Sequence, residues 1–237
     1  MYRPLSYRSS RKAIQVMLAG ILMSLALLIS ACGTGSLTQQ QADQAHNQLT
    51  TLLRRAQAIG VPTASLQPIE LQKNKLDNSR APFSLFNDQA VSTYYDNIDQ
   101  RYQQLVTQTQ GIIATSTESA QSKAMRDVQN FQMALARERN KGSINVSYFS
   151  NKFSADQKQL SLAQSPKDFA ALSRDTKADT DTLNQIQPTM NLLNYFNQAI
   201  GQLQDAKIDA TGMQQQYQLD LQTLNGVKST KDIDKLT

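Results

Sequence analysis

The chain has one cysteine, one histidine, no tryptophan, and only nine glycines and six prolines in 237 residues. A lone Cys and a lone His cannot assemble a Cys/His zinc site, and a lone Cys cannot close an intramolecular disulfide. Zinc and dithiol redox chemistry are excluded. Acid of one kind is also scarce, with just Glu70, Glu118 and Glu138. Few prolines and glycines leave long stretches without a helix breaker. What is abundant is glutamine, set among regularly spaced apolar positions. That mixture suits long helices with polar faces.

The formal charge of +5 raises the question of a nucleic-acid partner. Residues 1–31 hold Arg3, Arg8, Arg11 and Lys12 and no acid, which leaves 20 basic against 19 acidic residues from Cys32 onward. The excess therefore belongs to the leader, and no run of five like charges exists after it. Arg54 with Arg55, and Arg137 with Arg139 around Glu138, read as solvated helix faces. No nucleic-acid partner is expected.

The leader is built in three parts. A basic stretch ends at Lys12, and the stretch from Ala13 to Ile29 is apolar except for Gln15, Gly20 and Ser24. Small residues then precede the only cysteine, the order of an export signal. The run Ile29-Ser30-Ala31-Cys32 resembles the lipobox of bacterial lipoproteins. The resemblance implies recognition of Ile29, Ser30 and Ala31 by a signal peptidase, a diacylglyceryl thioether on Cys32, and a mature chain that begins there. It ends at Cys32 and does not extend into the rest of the chain. Two or three acyl chains, at ~0.8 kcal/mol per buried CH₂, would make the anchor effectively permanent. The other reading is an uncleaved span, but a helix from Ala13 to Ile29, at ~1.5 Å per residue, reaches roughly 26 Å, short of a bilayer core. Either reading puts the rest of the chain on the extracytoplasmic face. Gly33 in place of Asp after the cysteine removes the inner-membrane retention signal of some diderm lipoproteins, so an outer-membrane location stays open.

Residues 32–38, small and polar with two glycines, read as a flexible tether. A first amphipathic helix is expected over 39–59, with Ala42, Ala45, Leu49, Leu52, Leu53 and Ala56 on one face. Pro62, Pro68 and Pro82 mark a connector at 61–84 with room for one short helix near 69–76. From about 87 to 141 no proline occurs, and one very long helix is the economical reading, stopped at Asn140-Lys141-Gly142. Its apolar stripe fades over 114–123. A helix over 146–164 follows. Ser165-Pro166-Lys167-Asp168 then places an N-cap Ser, a Pro at the first helical position and an Asp that can answer the cap. That helix is expected to stop at Pro188, with others over about 189–207 and 213–224. Residues 156–173 and 220–237 align without gaps with six identities, including the cap repeated as Ser229-Thr230-Lys231-Asp232. If the repeat is real, the chain stops just after a new helix has begun, as a shortened version of a longer protein would.

Chemistry is harder to find. His46 has Asp43 as its nearest acid in sequence and no nucleophile placed by any motif, so it reads as a solvent-facing helical histidine. Asp175, Asp179 and Asp181 lack the glycine-bearing loop and ligand number that calcium needs, and read as solvated acids beside Lys177. Gly33 and Gly35 form no phosphate cradle, with no strand before them and no Lys at the required spacing. Tyr94, Tyr95 and Tyr102 fit either an aromatic platform for sugars or ordinary seam positions with Val91 and Ile98.

The expected fold is all-α: an elongated antiparallel helical bundle of coiled-coil-like hairpins over 39–237 that includes the long helix at about 87–141. The expected function is a non-catalytic, lipid-anchored scaffold or binding module of the bacterial cell envelope. It has no cofactor, no metal site and no catalytic residues, and its partners are membrane lipid through Cys32 and an envelope protein or peptidoglycan. The competing expectation is the membrane-proximal stalk of a peptidoglycan-remodelling enzyme, such as an L,D-transpeptidase or cell-wall peptidase. Its layout is similar to that of helical regions in some lipid-anchored envelope proteins, with the catalytic domain outside this sequence. A solute-binding protein fits less well, since such pockets are concave and mostly apolar and these stripes are narrow.

Overall fold

The computed structural model describes residues 36–81, 88–142 and 144–236. The leader, the lipobox residues Ile29, Ser30, Ala31 and Cys32, and the first part of the tether lie outside these residues. The fold is all-α, with no strand among the described residues. Among the described residues seven helices follow in order: α1 Ser36–Ala58, α2 Thr63–Asp77, α3 Asp88–Lys141, α4 Ser147–Leu162, α5 Pro166–Asp205, α6 Thr211–Asn225 and α7 Thr230–Ile233, the last continued by a 3-10 turn, Asp234–Leu236.

The chain divides into two compact units. The smaller one holds the first turns of α1 and α3, where the Tyr94 and Tyr95 rings meet edge to face at 5.3 Å. The larger one takes residues 45–79 and 101–237 and contains all that follows.

In the larger unit the short helices α2 and α4 run back along their neighbours. His46 faces Asp77 and Gln57 bonds Glu70, so α2 is antiparallel to α1. Tyr102 bonds Asp77, which starts the run of α3 along α2. Phe131 of α3 meets Phe153 of α4 edge to face, and Arg139 bonds Ser150. Lys123 bonds Ser173 and Arg137 bonds Asn184, so α3 and α5 rise side by side in the same direction. α5 packs against α4, α6 and α7. One core cluster joins Ala124 and Val128 to Phe169 and Leu172. A larger one joins Phe131 and Leu135 to Phe149, Leu183, Ile186, Leu193, Leu224 and Ile233. The two long helices therefore serve twice, each lending one half to one antiparallel packing and the other half to the next.

The long helix forms as the periodicity predicts, and Gly142 ends it at φ +64, its N–H on the Glu138 carbonyl at 3.2 Å. Its weak centre is real as well, since no residue between Thr109 and Ala124 is buried. The cap at Ser165 closes as a capping box, with Ser165 Oγ accepting from the Asp168 N–H at 3.2 Å and Asp168 Oδ2 accepting from the Ser165 N–H at 3.1 Å.

Three boundaries differ from the sequence reading. Residues 36–38 of the tether already belong to α1. The connector at 61–84 is mostly the 15-residue helix α2, with Pro68 inside it. Pro188 does not break α5, which is continuous over all 40 residues from Pro166 to Asp205. Both prolines lie on exposed faces, while Leu66 and Ile69, or Ile186 and Leu193, are buried beside them. An interior proline costs about 3 kcal/mol. Burial of large apolar side chains on both sides, at about 1.5–3 kcal/mol each, offsets that and carries the helix through.

Candidate functional site

Polar groups in the larger unit gather where helices meet. At the first junction Asp77, at the end of α2, accepts from Tyr102 Oη at 2.6 Å and from Lys73 Nζ at 2.6 Å, with His46 Nε2 at 3.4 Å. The His46 and Tyr102 rings meet edge to face at 5.4 Å. Burial works against the charge on Asp77, yet the bonds from Lys73 and Tyr102 and the charges of Lys73 and His46 together hold its pKa below the usual carboxylate value. This corrects the reading of His46. It is half-buried and paired with Asp77 on the neighbouring helix, and Asp43 plays no part. Tyr102 is buried, so it does not extend a platform from Tyr94 and Tyr95.

A second junction joins α3 to α5. The Ser173 hydroxyl donates to Asp127 Oδ2 and accepts from Lys123 Nζ at 2.7 Å, with Lys123 and Asp127 3.5 Å apart. A hydroxyl between a lysine and a carboxylate has the composition of an activated nucleophile. Ser173 is buried, however, and both of its bonds run across the helix pair, so here the group ties α3 to α5.

The third junction joins α4 to α5 and places two carboxylates in the interior. Asp156 accepts from Thr176 Oγ1 at 3.2 Å, and Asp179 Oδ2 lies 3.7 Å from Lys152 Nζ with no hydrogen bond of its own. Burial raises the pKa of Asp179 to about 6; Lys152 opposes that and Asp156 adds to it. Burial likewise raises Asp156, against Lys152 and Thr176. Asp179 is thus no solvated acid. Its neighbours behave as expected, Asp175 exposed beside Arg174 at 3.7 Å and Asp181 at the surface.

Among the described residues Glu138 is the most enclosed charge. Its Oε1 meets Arg137 at 3.2 Å and Lys141 at 3.3 Å, and Oε2 is buried without a hydrogen-bond partner. Among the described residues no three His, Cys, Asp or Glu side chains converge as a metal-holding group. No described helix is long and apolar enough to cross a membrane.

An open groove of about 700 Å³ lies between the parallel helices α3 and α5. Lys123, Asp127, Asn130 and Arg137 line it from α3, and Lys177 and Asp181 from α5. It is closed at one end by the Ser173 bridge and at the other by the 2.5 Å bond from Arg137 to Asn184. The lining mixes charges of both signs and the amides of Asn130 and Asn184 with the apolar Met133 and Ala134, Met133 being exposed. A shallower groove of about 490 Å³ lies between α2 and the weak centre of α3, floored by Ile69, Gly111 and Ile112. The chain matches no protein family, no curated protein and no solved structure.

Proposed function

We propose that the protein is a lipid-anchored, extracytoplasmic helical scaffold or binding module of the bacterial cell envelope, held by acyl groups on Cys32 and acting through its helix surfaces without catalysis. The observation that carries this is the sequence Ile29-Ser30-Ala31-Cys32 behind a basic and apolar leader, with the only cysteine of the chain at the position the lipid needs. Support comes from its distance to the folded part, since α1 begins at Ser36, four residues beyond Cys32. Three intervening residues keep the helices next to the bilayer. The α3/α5 groove, with Lys123, Lys177, Asp127 and Asp181 at its rim, is the surface we assign to the partner, an envelope protein or the peptide part of peptidoglycan.

The test is Cys32→Ala expressed beside the wild type in a bacterium fed a labelled fatty acid, followed by membrane fractionation. Wild type takes up label and stays with the membranes; Cys32→Ala takes up none and is released or mislocalised. A Cys32→Ala chain that remains labelled and membrane-bound contradicts the reading.

A further inference from the structure

Between Asp181 and Asp205, α5 carries no charged side chain. One stripe of that stretch packs inward through Ile186, Leu193 and Ile200. Another, formed by Pro188, Leu192, Tyr195 and Ala199, points outward, flanked by the exposed amides Asn191, Asn194, Gln198 and Gln202. The outward positions follow a 4-3-4 spacing, which is that of a two-helix seam.

The internal repeat shows how the aligned positions are treated elsewhere in the chain. The shift that superposes the capping residues Ser165 and Asp168 on Ser229 and Asp232 also superposes the first residues of α4 and α6, Ser147 and Thr211. The same shift sets Leu192 on Val128, Tyr195 on Phe131 and Ile208 on Ile144. Val128, Phe131 and Ile144 are 6, 0 and 8% exposed, whereas Leu192, Tyr195 and Ile208 are 59, 67 and 53% exposed. In the first copy of the repeat helices lie over the seam, with Phe169 and Leu172 against Val128 and Phe153 against Phe131. In the second copy the matching side chains are bare.

We propose that the outward stripe of α5 is a self-association seam, covered by the same stripe of a second copy of this chain. A face without charge meets its own image without like-charge repulsion and gives an acidic or basic partner nothing to recognise. Exposed tyrosine and leucine in a charge-depleted, amide-rimmed patch is the composition of an interface centre. An antiparallel pairing about a two-fold axis between Leu192 and Tyr195 sets each Leu192 against the partner's Tyr195 and each Pro188 against the partner's Ala199. The seam from 188 to 202 spans four turns, about 21 Å, so the interface belongs to the small, reversible class.

The test is sedimentation of the full chain in detergent across a concentration series from the micromolar range upward. Wild type shifts from monomer to dimer as concentration rises. The double variant Leu192→Lys with Tyr195→Lys stays monomeric and melts at the wild-type temperature, as both side chains are exposed. Leu71→Lys, at an exposed leucine on α2, dimerises like wild type. Tyr195→Gln, which adds no charge, weakens dimerisation at least tenfold and covers the case in which the double variant misfolds. Wild type that stays monomeric throughout, or a Leu192→Lys/Tyr195→Lys protein that dimerises as wild type does, overturns the proposal.

Discussion

Asn145 and Asp209 occupy matching positions of the internal repeat and make the same bond: each side-chain oxygen accepts the backbone N–H two residues on, from Ser147 at 2.9 Å and from Thr211 at 3.0 Å. Each thereby satisfies one of the orphan amides at the start of a helix, α4 in one case and α6 in the other. The next joint repeats as well. Asp168 Oδ2 accepts from the N–H groups of Gln164 and Ser165 and from Ser165 Oγ, and Asp232 Oδ2 accepts from Lys228, Ser229 and Ser229 Oγ. Two joints in the same order at the same separation are the structural form of the weak sequence repeat.

Stability depends on pH in two opposite ways. The folded-state pKa values of Asp156 and Asp179 are raised, so folding favours their protonated forms, and stability falls as pH rises above the unfolded carboxylate value, for Asp179 until about 6. The folded-state values of Asp77, Asp168 and Asp232 are lowered, the last to about 2 by Lys235 and the amides of its cap. What these contribute is present above the unfolded carboxylate value and lost as pH falls below it. Urea unfolding is therefore predicted to show maximal stability near pH 4, where the lowered carboxyls are ionised and the raised ones still hold their protons. Asp179→Asn flattens the loss between about pH 4 and pH 6, on the order of 1–2 kcal/mol. A wild type that gains stability steadily from pH 5 to pH 7 contradicts the assignment.

Ser165 caps a 40-residue helix that every later helix packs against. Ser165→Ala is predicted to cost about 1 kcal/mol, a fall in Tm of roughly 2–4 °C for a chain of this size. Ser165→Thr, which keeps a hydroxyl that can accept from the Asp168 N–H and donate to its carboxylate, recovers most of it. Thermal melts by circular dichroism measure both.

Gly60 sits at φ +86, and a Cβ there would stand 2.9 Å from Lys167 Cβ, where the Lys167 N–H bonds the Ile59 carbonyl at 3.0 Å. Gly60→Ala is predicted to destabilise by about 1–3 kcal/mol, since it combines a left-handed backbone with a clash. Gly201 lies in the body of α5 with nothing within 4 Å of a new Cβ. Gly201→Ala is predicted to stabilise by up to about 1 kcal/mol. The opposite order of the two variants in denaturant midpoint would show that the α1/α2 joint does not dock on the start of α5 as described.

The legible parts of this fold are those written within one or two turns of chain. Gly142 as a stop, Ser165 with Asp168 as a start, and the fading stripe at 114–123 all rest on neighbours in sequence, and each stands where the sequence puts it. Pro68 and Pro188 mislead for the opposite reason. Locally they argue for a break, and what overrides them is burial of Leu66, Ile69, Ile186 and Leu193 against other helices, which no short window of sequence contains. The polar junctions are equally hidden. Of the partners of Asp77 only Lys73, one turn away, is visible in sequence, while His46 and Tyr102 are brought in by the return of the chain. Asp179 reads as one of three surface acids until α4 covers it with Lys152 and Asp156.

Whether Cys32 carries lipid is read from the intact mass of the native protein extracted from its own membranes. The expected chain begins at Cys32 and carries a diacylglyceryl group, with or without a third acyl chain. A chain that retains the leader with an unmodified cysteine, or one that begins elsewhere without lipid, contradicts it.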